Sequence, residues 1–148
     1  MSSLQQKLLL VEDDASVAMT VREFLAGVCG WSVTMAADGR TAIDALNRTP
    51  DFDLVLLDLL LPQVSGLHVA AHAIMQQIPV LMTTGNPNAA AAASRLGVQV
   101  LEKPFPFEAL RIEVDRTVAI ARQNIEIARA QRLQLARNLQ LLRDALRR

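Results

Sequence analysis

The chain has 148 residues, 51% of them apolar, and its 15 basic side chains equal its 15 acidic ones. This length suits one domain with a helical appendage, and the apolar share is large enough for a core. A single cysteine excludes an internal disulfide and is typical of a reducing cytoplasm. The N-terminal apolar run is short and interrupted by acids, so we expect neither a signal peptide nor a membrane segment.

The charge is distributed unevenly along the chain. Residues 1–106 hold six basic and ten acidic side chains, whereas residues 107–148 hold nine basic and five acidic ones. An acidic domain is therefore followed by a basic segment of different character.

Apolar runs alternate with helical patterns along the acidic part. We predict five strands, at residues 7–11, 32–36, 53–58, 79–84 and 98–101. The first and third runs are almost wholly apolar between their charged ends, which is typical of strands buried on both faces. The second alternates as an edge strand would, with Val33 and Met35 on one side. Strands that alternate with helices imply a parallel sheet with right-handed crossovers.

The first three helices are predicted from their apolar periodicity. The first begins near Ala15, and its apolar stripe consists of Val17, Val21, Phe24, Leu25 and Val28. The next two are expected at about residues 40–47 and 66–76. The inward side chains of the third helix are predicted to be Leu67, Ala70, Ala71 and Ile74.

The last two helices are predicted from their end signals. Asn86 suits the cap of the fourth helix, Pro87 its first position and Gly97 its end. Pro106 opens the fifth, which continues to Arg148 without a further glycine or proline.

Four of the predicted strands end in side chains that can carry chemistry. In strand order these are Glu12 with Asp13, Asp58, Thr84 and Lys103. Because the carboxyl ends of parallel strands meet at one edge of the sheet, where α/β proteins bind ligands, we expect them to be neighbours.

This set of residue types suits phosphoryl transfer. Three neighbouring carboxylates would repel one another without a cation, and Mg²⁺ prefers such hard oxygen ligands. With the metal present, Asp58 could attack phosphorus and become an acyl phosphate. Thr84 could donate its hydroxyl to the phosphoryl group, and Lys103 could pair with its charge.

The ordered set resembles the receiver domain of two-component response regulators. The likeness extends from residue 7 to about residue 120, and it rests on Val11-Glu12-Asp13, Asp58 with Pro62 and Gly66, Thr84-Gly85 and Lys103-Pro104-Phe105. It implies an α/β, flavodoxin-like fold: a five-stranded parallel sheet in the order 2-1-3-4-5, flanked by helices. It also implies a cis peptide bond between Lys103 and Pro104.

The resemblance assigns a role to each site residue. Asp58 would be the phosphoacceptor. Mg²⁺ would be held by Asp13 directly, by Glu12 largely through water, by Asp58 and by the backbone carbonyl of Leu60. Thr84 would be the switch hydroxyl, and Lys103 would be the phosphate clamp. Such a protein is a phosphoacceptor, not a turnover enzyme, and loses its phosphoryl group slowly.

Three positions depart from the family pattern. Val100 stands where a tyrosine or phenylalanine usually couples to the switch hydroxyl, and the chain has no tyrosine. Leu60 stands where many relatives carry a polar side chain, and Gly85 where alanine is common. We therefore expect phosphorylation to be intact and its readout to be unusual.

Competing functions fit the residues less well. An aspartate-nucleophile phosphohydrolase resembles this site, but such enzymes carry an acid/base aspartate where Leu60 stands. A dinucleotide-binding module needs a glycine-rich turn after the first strand, and the acids Glu12, Asp13 and Asp14 would repel a pyrophosphate. The tail shows no helix-turn-helix break, so we expect no specific nucleic-acid contact from these residues. The chain as the N-terminal receiver fragment of a larger regulator with an output domain remains an alternative.

The tail carries a second pattern. Steps of three and four residues connect Val118, Ala121, Ile125, Ala128, Arg132, Leu135, Leu139, Leu142 and Leu146. Such a heptad seam over about four repeats favours a coiled coil. We divide the chain into a receiver domain, 1–117, and an extended C-terminal helix, 118–148, and predict a homodimer through residues 118–146. The alternative is a helix that folds back on its own domain.

The residues thus predict a cytoplasmic signalling protein. Its phosphoryl donor would be a histidine kinase or a phosphotransfer protein, and its output would pass by contact to a downstream protein.

Overall fold

A computed structural model describes residues 4–62, 65–95 and 98–147. The chain forms two compact units, Met1–Val118 and Ala119–Arg148. In chain order, the elements are β1 (Lys7–Val11), α1 (Ala15–Glu23) with a π-helical continuation (Phe24–Val28), β2 (Ser32–Ala36), α2 (Gly39–Arg48), β3 (Leu54–Asp58), α3 (Gly66–Met75), β4 (Val80–Thr84), α4 (Pro87–Arg95), β5 (Gln99–Glu102) and α5 (Phe107–Leu146).

The five strands form one parallel sheet in the order β2-β1-β3-β4-β5. The flavodoxin-like α/β fold predicted from the sequence is confirmed, including the strand order and the extended C-terminal helix. Each predicted strand lies within one residue of its observed bounds at either end.

Helices cover both faces of the sheet. On one face, Leu9, Val55 and Leu57 are fully buried against residues of α2 and α3. On the other, Leu8, Leu54 and their neighbours pack against residues of α1 and α5. Alternate residues of one strand thus enter opposite cores, and each buried leucine stabilises the fold by about 1.5–3 kcal/mol. Burial on both sides is the reason why β1 and β3 are largely apolar runs.

The edge strand β2 is only partly covered. Val33 is half-buried, but Met35, which we placed beside it, is 41% exposed. β2 has a single neighbouring strand, β1, so the sheet offers Met35 less cover than a central strand would.

The prediction for α3 was partly wrong about the face that enters the core, since of its four inward residues only Ala70 is buried. Leu67 and Ile74 are 63% and 57% exposed, and Ala71 is exposed as well. The residues that pack inward are Gly66, Val69, Ala70 and Ala73. Gly66 lies against the backbone that leaves β3, and the others share its face because they follow it by three, four and seven residues.

The stripe predicted for α1 was partly wrong. Ala18, Val21 and Leu25 are buried, whereas Val17 and Val28 are 38% and 66% exposed. Val28 lies in the π-helical turn, where the wider spacing rotates later residues out of an α-helical stripe.

Asn86 caps α4 as predicted. Its Oδ1 accepts hydrogen bonds from the backbone N–H groups of Asn88, at 2.9 Å, and Ala89, at 3.2 Å. Pro87 is the first residue of α4. Gly97, predicted to end this helix, lies outside the described residues.

The second unit consists of the C-terminal part of α5. Its seam residues Leu135, Leu139 and Leu142 are 56–59% exposed. Val118, where we began the seam, is 7% exposed and belongs to the core of the first unit. Seam residues outside that core therefore begin at Ala121. No helix within residues 4–62, 65–95 and 98–147 is both long and apolar enough to cross a membrane.

Candidate functional site

Three carboxylates meet at the carboxyl edge of the sheet. Glu12 and Asp13 follow β1, and Asp58 ends the neighbouring strand β3. Each offers an oxygen within 4.8 Å of the other two. Glu12 and Asp58 are 7% and 8% exposed, whereas Asp13 is exposed. A dense set of oxygen donors with one open side fits a hard divalent cation that keeps some of its water.

Lys103 joins the carboxylates from the other side. Its ammonium lies 3.0 Å from Asp58 Oδ2 and 3.2 Å from Glu12 Oε2. The β4–β5 pairing positions it, since its backbone N–H donates to the carbonyl of Thr84 at 2.7 Å. One cation among three acids leaves the site with a surplus of negative charge, which favours a further cation.

Burial and ion pairing act in opposite directions on the pKa values of this pair. Burial raises the pKa of Glu12 above its usual value, and the hydrogen bond from the backbone of Asp14 and the charge of Lys103 offset this only in part. Burial lowers the pKa of Lys103, but its hydrogen bond and charge interaction with Asp58, followed by those with Glu12, outweigh it and raise this pKa above its ordinary value. Lys103 is therefore a cation at neutral pH.

The second oxygen of Asp58 is held by the backbone. Asp58 Oδ1 accepts a hydrogen bond from the N–H of Leu60 at 3.0 Å. The side chain of Leu60 is 68% exposed and offers no hydrogen-bonding group. From the sequence we assigned Leu60 only a role for its backbone carbonyl, as a ligand of Mg²⁺. The hydrogen bond from its backbone N–H could not be predicted, because residue identity does not indicate which backbone groups donate.

Gly66 fixes the exit from β3. A β-carbon there would lie 2.7 Å from the backbone oxygens of Asp58 and Leu59, closer than any real side chain approaches. Gly66, one of the residues on which the family resemblance rests, is thus required for close packing of α3 beside Asp58.

Thr84 ends β4 and is 1% exposed. Its Oγ1 accepts a hydrogen bond from the N–H of Asn86 at 3.1 Å. Its neighbour Thr83 is paired with Asp58 in the sheet register. The predicted switch hydroxyl therefore lies on the strand adjacent to Asp58, with its oxygen bonded to the turn that leads into α4.

An apolar groove of about 530 Å³ borders Lys103. Val17 and Phe107 line it, together with Pro104 and Phe105, and the Lys103–Pro104 peptide bond is cis, as expected. Val17 thus belongs to the surface next to the site and not to the core. The apolar periodicity of α1 alone cannot predict that Val17 lines a groove, because the rest of the groove is formed by residues that follow β5.

The sheet topology and the acid–lysine cluster at its carboxyl edge define a receiver-type α/β domain. The family model of the response regulator receiver domain matches residues 8–115. The chain belongs to this family, as the resemblance implied.

Known relatives agree with this assignment. The luminescence regulatory protein LuxO of Vibrio campbellii is 38% identical over an alignment of 116 residues, and the match covers 74% of this chain and 25% of LuxO. The chain thus spans about a quarter of the length of the first curated relatives it matches. The signal receiver domain of a putative LuxO repressor protein from Vibrio parahaemolyticus has a TM-score of 0.72 at 26% identity, covering 84% of this chain and 98% of that one. The chemotaxis protein CheY4 of Vibrio cholerae has a TM-score of 0.66 at 29% identity, covering 76% and 98%.

Proposed function

We propose that this receiver accepts a phosphoryl group on Asp58, in the presence of Mg²⁺, from a histidine kinase or a phosphotransfer protein. One observation carries the proposal: Lys103 contacts Asp58 and Glu12 at a point where Asp13 completes a three-carboxylate cluster. A purely structural ion pair with Lys103 would need only one acid. The cluster instead has three carboxylates for one lysine, and it is open to solvent at Asp13.

The residues present fit a magnesium ion. Glu12, Asp13 and Asp58 supply carboxylate oxygens within 4.8 Å of one another, and we assign a further ligand to the backbone carbonyl of Leu60. When bound, the ion supplies positive charge that lowers the repulsion between these acids and an incoming phosphoryl group.

The covalent step belongs to Asp58. One of its carboxylate oxygens forms a bond to phosphorus while the bond from phosphorus to the donor's imidazole nitrogen breaks, and the imidazole takes up a proton from solvent. The product is an acyl phosphate on Asp58. Lys103 pairs with the charge of the phosphoryl group, and we assign Thr84 the hydroxyl that reports its presence.

The position of Leu60 argues against turnover on external substrates. Its side chain is exposed and cannot transfer a proton, so a phosphohydrolase would lack its acid/base group. We therefore propose a switch whose acyl phosphate decays slowly, and whose output is contact with a downstream protein in the cytoplasm.

The tail is assigned a separate role. We divide the chain into a receiver domain, 1–117, and an extended helix, 118–148. Because Val118 packs in the receiver core, we propose that the helix forms a homodimeric coiled coil from Ala121 onward. Its exposed leucines support this assignment, because a single helix leaves them in water. Since the chain covers a quarter of LuxO, a receiver within a larger regulator with an output domain is the second candidate.

Intact-mass analysis after incubation with phosphoramidate and Mg²⁺ tests the assignment. The chain should gain one phosphoryl group that is stable to acid and labile to base, and EDTA should suppress the gain. Asp58→Asn should abolish it, whereas Asp44→Asn, which changes an exposed acid on α2, should leave it intact. Equal labelling of the Asp58→Asn variant would overturn the assignment.

A further inference from the structure

Asp58 has a buried threonine as its lateral neighbour in the sheet. Thr83 of β4 is paired with Asp58 of β3 in the strand register, and Thr83 is 5% exposed. Leu56 and Leu81, each two residues earlier on these strands, belong to the core that packs against α1 and α5. Because alternate residues of a strand share one face, the side chains of Asp58 and Thr83 lie side by side on that face, roughly 5 Å apart.

Lys103 has to cross β4 to reach Asp58. It follows β5, and β4 lies between β5 and β3 in the sheet. Two interstrand spacings amount to about 10 Å, yet the ammonium lies 3.0 Å from Asp58 Oδ2 and 3.2 Å from Glu12 Oε2. The four-carbon stem of Lys103 is therefore extended over β4, on the face where Thr83 is the residue level with Asp58.

A small cavity lies between these side chains. Its volume is about 20 Å³, and its polar lining consists of Glu12, Asp58, Thr83 and Lys103. The other lining residues are apolar and come from β1, β3, α1 and the segment after β5. Asp13, the exposed member of the carboxylate cluster, is not among the lining residues, so the cavity lies on the buried side of the cluster. A buried water needs at least about 10–15 Å³ and roughly two to four polar partners, and the cavity meets both conditions for one water.

We propose that one water in this cavity connects Thr83 to Lys103, and that Thr83 is a positioning residue for the ammonium. An ammonium has three N–H donors, and two of those of Lys103 are directed at Asp58 and Glu12. The water accepts the third and donates to the hydroxyl oxygen of Thr83. The inference rests on the proposed function, because it concerns how Lys103 is held at the point where the charge of the phosphoryl group arrives.

The hydroxyl of Thr83 is the group on which this arrangement depends. Thr83→Val keeps the shape of the side chain and removes its hydrogen-bonding group. The water would lose a partner beside an apolar wall, and the ammonium would lose the contact that directs it. We expect phosphorylation by phosphoramidate and Mg²⁺ to slow by about 3- to 10-fold, which corresponds to the loss of one neutral hydrogen bond. A threonine that only fills space would instead leave the rate unchanged.

A double-mutant cycle tests the route through Lys103. Labelling rates are measured by intact-mass analysis for Thr83→Val, Lys103→Ala and the double variant, together with the urea unfolding of each. Thr83→Val should slow labelling of the chain that keeps Lys103, without lowering its urea midpoint, but should change the rate by less than about twofold in the Lys103→Ala background. Thr83→Ser, which keeps the hydroxyl, should label faster than Thr83→Val. Thr117→Val is the matched control, because it removes a buried hydroxyl whose bond to the carbonyl of Glu113 stays within α5, and it should label at the unmodified rate.

A crystal structure of the unmodified chain provides a readout that does not depend on labelling. It should show one water in the cavity within about 3.2 Å of Thr83 Oγ1, and a cavity without that water would overturn the inference. Equal rates for Thr83→Val and the unmodified chain, or equal slowing in both backgrounds, would overturn the role of Thr83 and leave the phosphorylation of Asp58 standing. An unmodified chain that gains no phosphoryl group would overturn the proposed function, and the role of Thr83 with it.

Discussion

The glycine that opens α3 provides a sharp test of how the site is built. A β-carbon added at Gly66 would lie 2.7 Å from the backbone oxygens of Asp58 and Leu59, and 2.9 Å from the Cα of Leu59. All three are backbone atoms, so no side-chain rotation can relieve the contacts. Gly66→Ala should therefore push α3 away from the exit of β3 or displace Asp58 itself.

Two effects of this substitution oppose each other. Alanine is favoured over glycine inside a helix by up to about 1 kcal/mol, which would stabilise the variant. Overpacking typically costs roughly 1–3 kcal/mol, and three contacts below 3.0 Å place this case in the upper part of that range. We expect a net loss of about 1–2 kcal/mol in the free energy of unfolding, which lowers the Tm by roughly 4 °C per kcal/mol.

Urea unfolding and phosphoramidate labelling should be measured on the same preparations. Gly85→Ala is the matched control: it also changes a glycine at a strand end near the site, but its β-carbon would have nothing within 4 Å. Gly66→Ala should be less stable and accept phosphate more slowly, whereas Gly85→Ala should match the unmodified chain. If Gly66→Ala retained full stability and rate, the close approach of α3 would not constrain Asp58.

Four further outcomes are expected. Lys103→Ala should still accept some phosphate but lose the change in amide exchange that beryllofluoride produces in the unmodified chain; an undiminished change would contradict the clamp role. Leu60→Asn should shorten the lifetime of the acyl phosphate, because an amide can orient an attacking water, and unchanged or slower decay in acid-quenched time courses would show that water positioning is not limiting. Mg²⁺ at ten times its Kd should stabilise the fold by about 1.4 kcal/mol, seen as a higher Tm that EDTA reverses, and an unchanged Tm would argue against binding to the folded state. Chains ending at residue 117 should unfold at lower urea than chains ending at residue 123, since only the longer ones keep the buried Val118; both should be monomeric by light scattering.

The location of the site follows from sequence patterns with few alternatives. Buried strands of a parallel sheet are apolar along their whole length, so the point at which charged residues resume marks the strand end. Glu12, Asp13 and Asp58 satisfy this rule, and parallel topology then forces them onto one edge. That edge brings oxygens of all three within 4.8 Å of one another.

The face of α3 could not be derived in the same way. Two stripes of this helix are apolar: one contains Leu67 and Ile74, and the other contains Val69, Ala70 and Ala73. Side-chain size favours the first, but the second is buried. The choice depends on the tertiary contact of the helix start with the exit of β3, and periodicity within one helix carries no information about that contact.

The element best placed to respond to phosphorylation is α4. Val100 is half-buried and lacks the aromatic ring that the family pattern leads us to expect at this position. If Thr84 is the switch hydroxyl, as we propose, its coupling to phosphorylation would use the other contacts of Thr84. The hydroxyl oxygen of Thr84 is bonded to the N–H of Asn86, which also caps α4. A hydroxyl drawn towards a phosphoryl group on Asp58 would strain that bond and disturb the cap. Because α4 buries only two alanine side chains, worth far less than the roughly 1.5–3 kcal/mol of each core leucine, its displacement costs less than that of a helix anchored by leucines, and we expect the readout there.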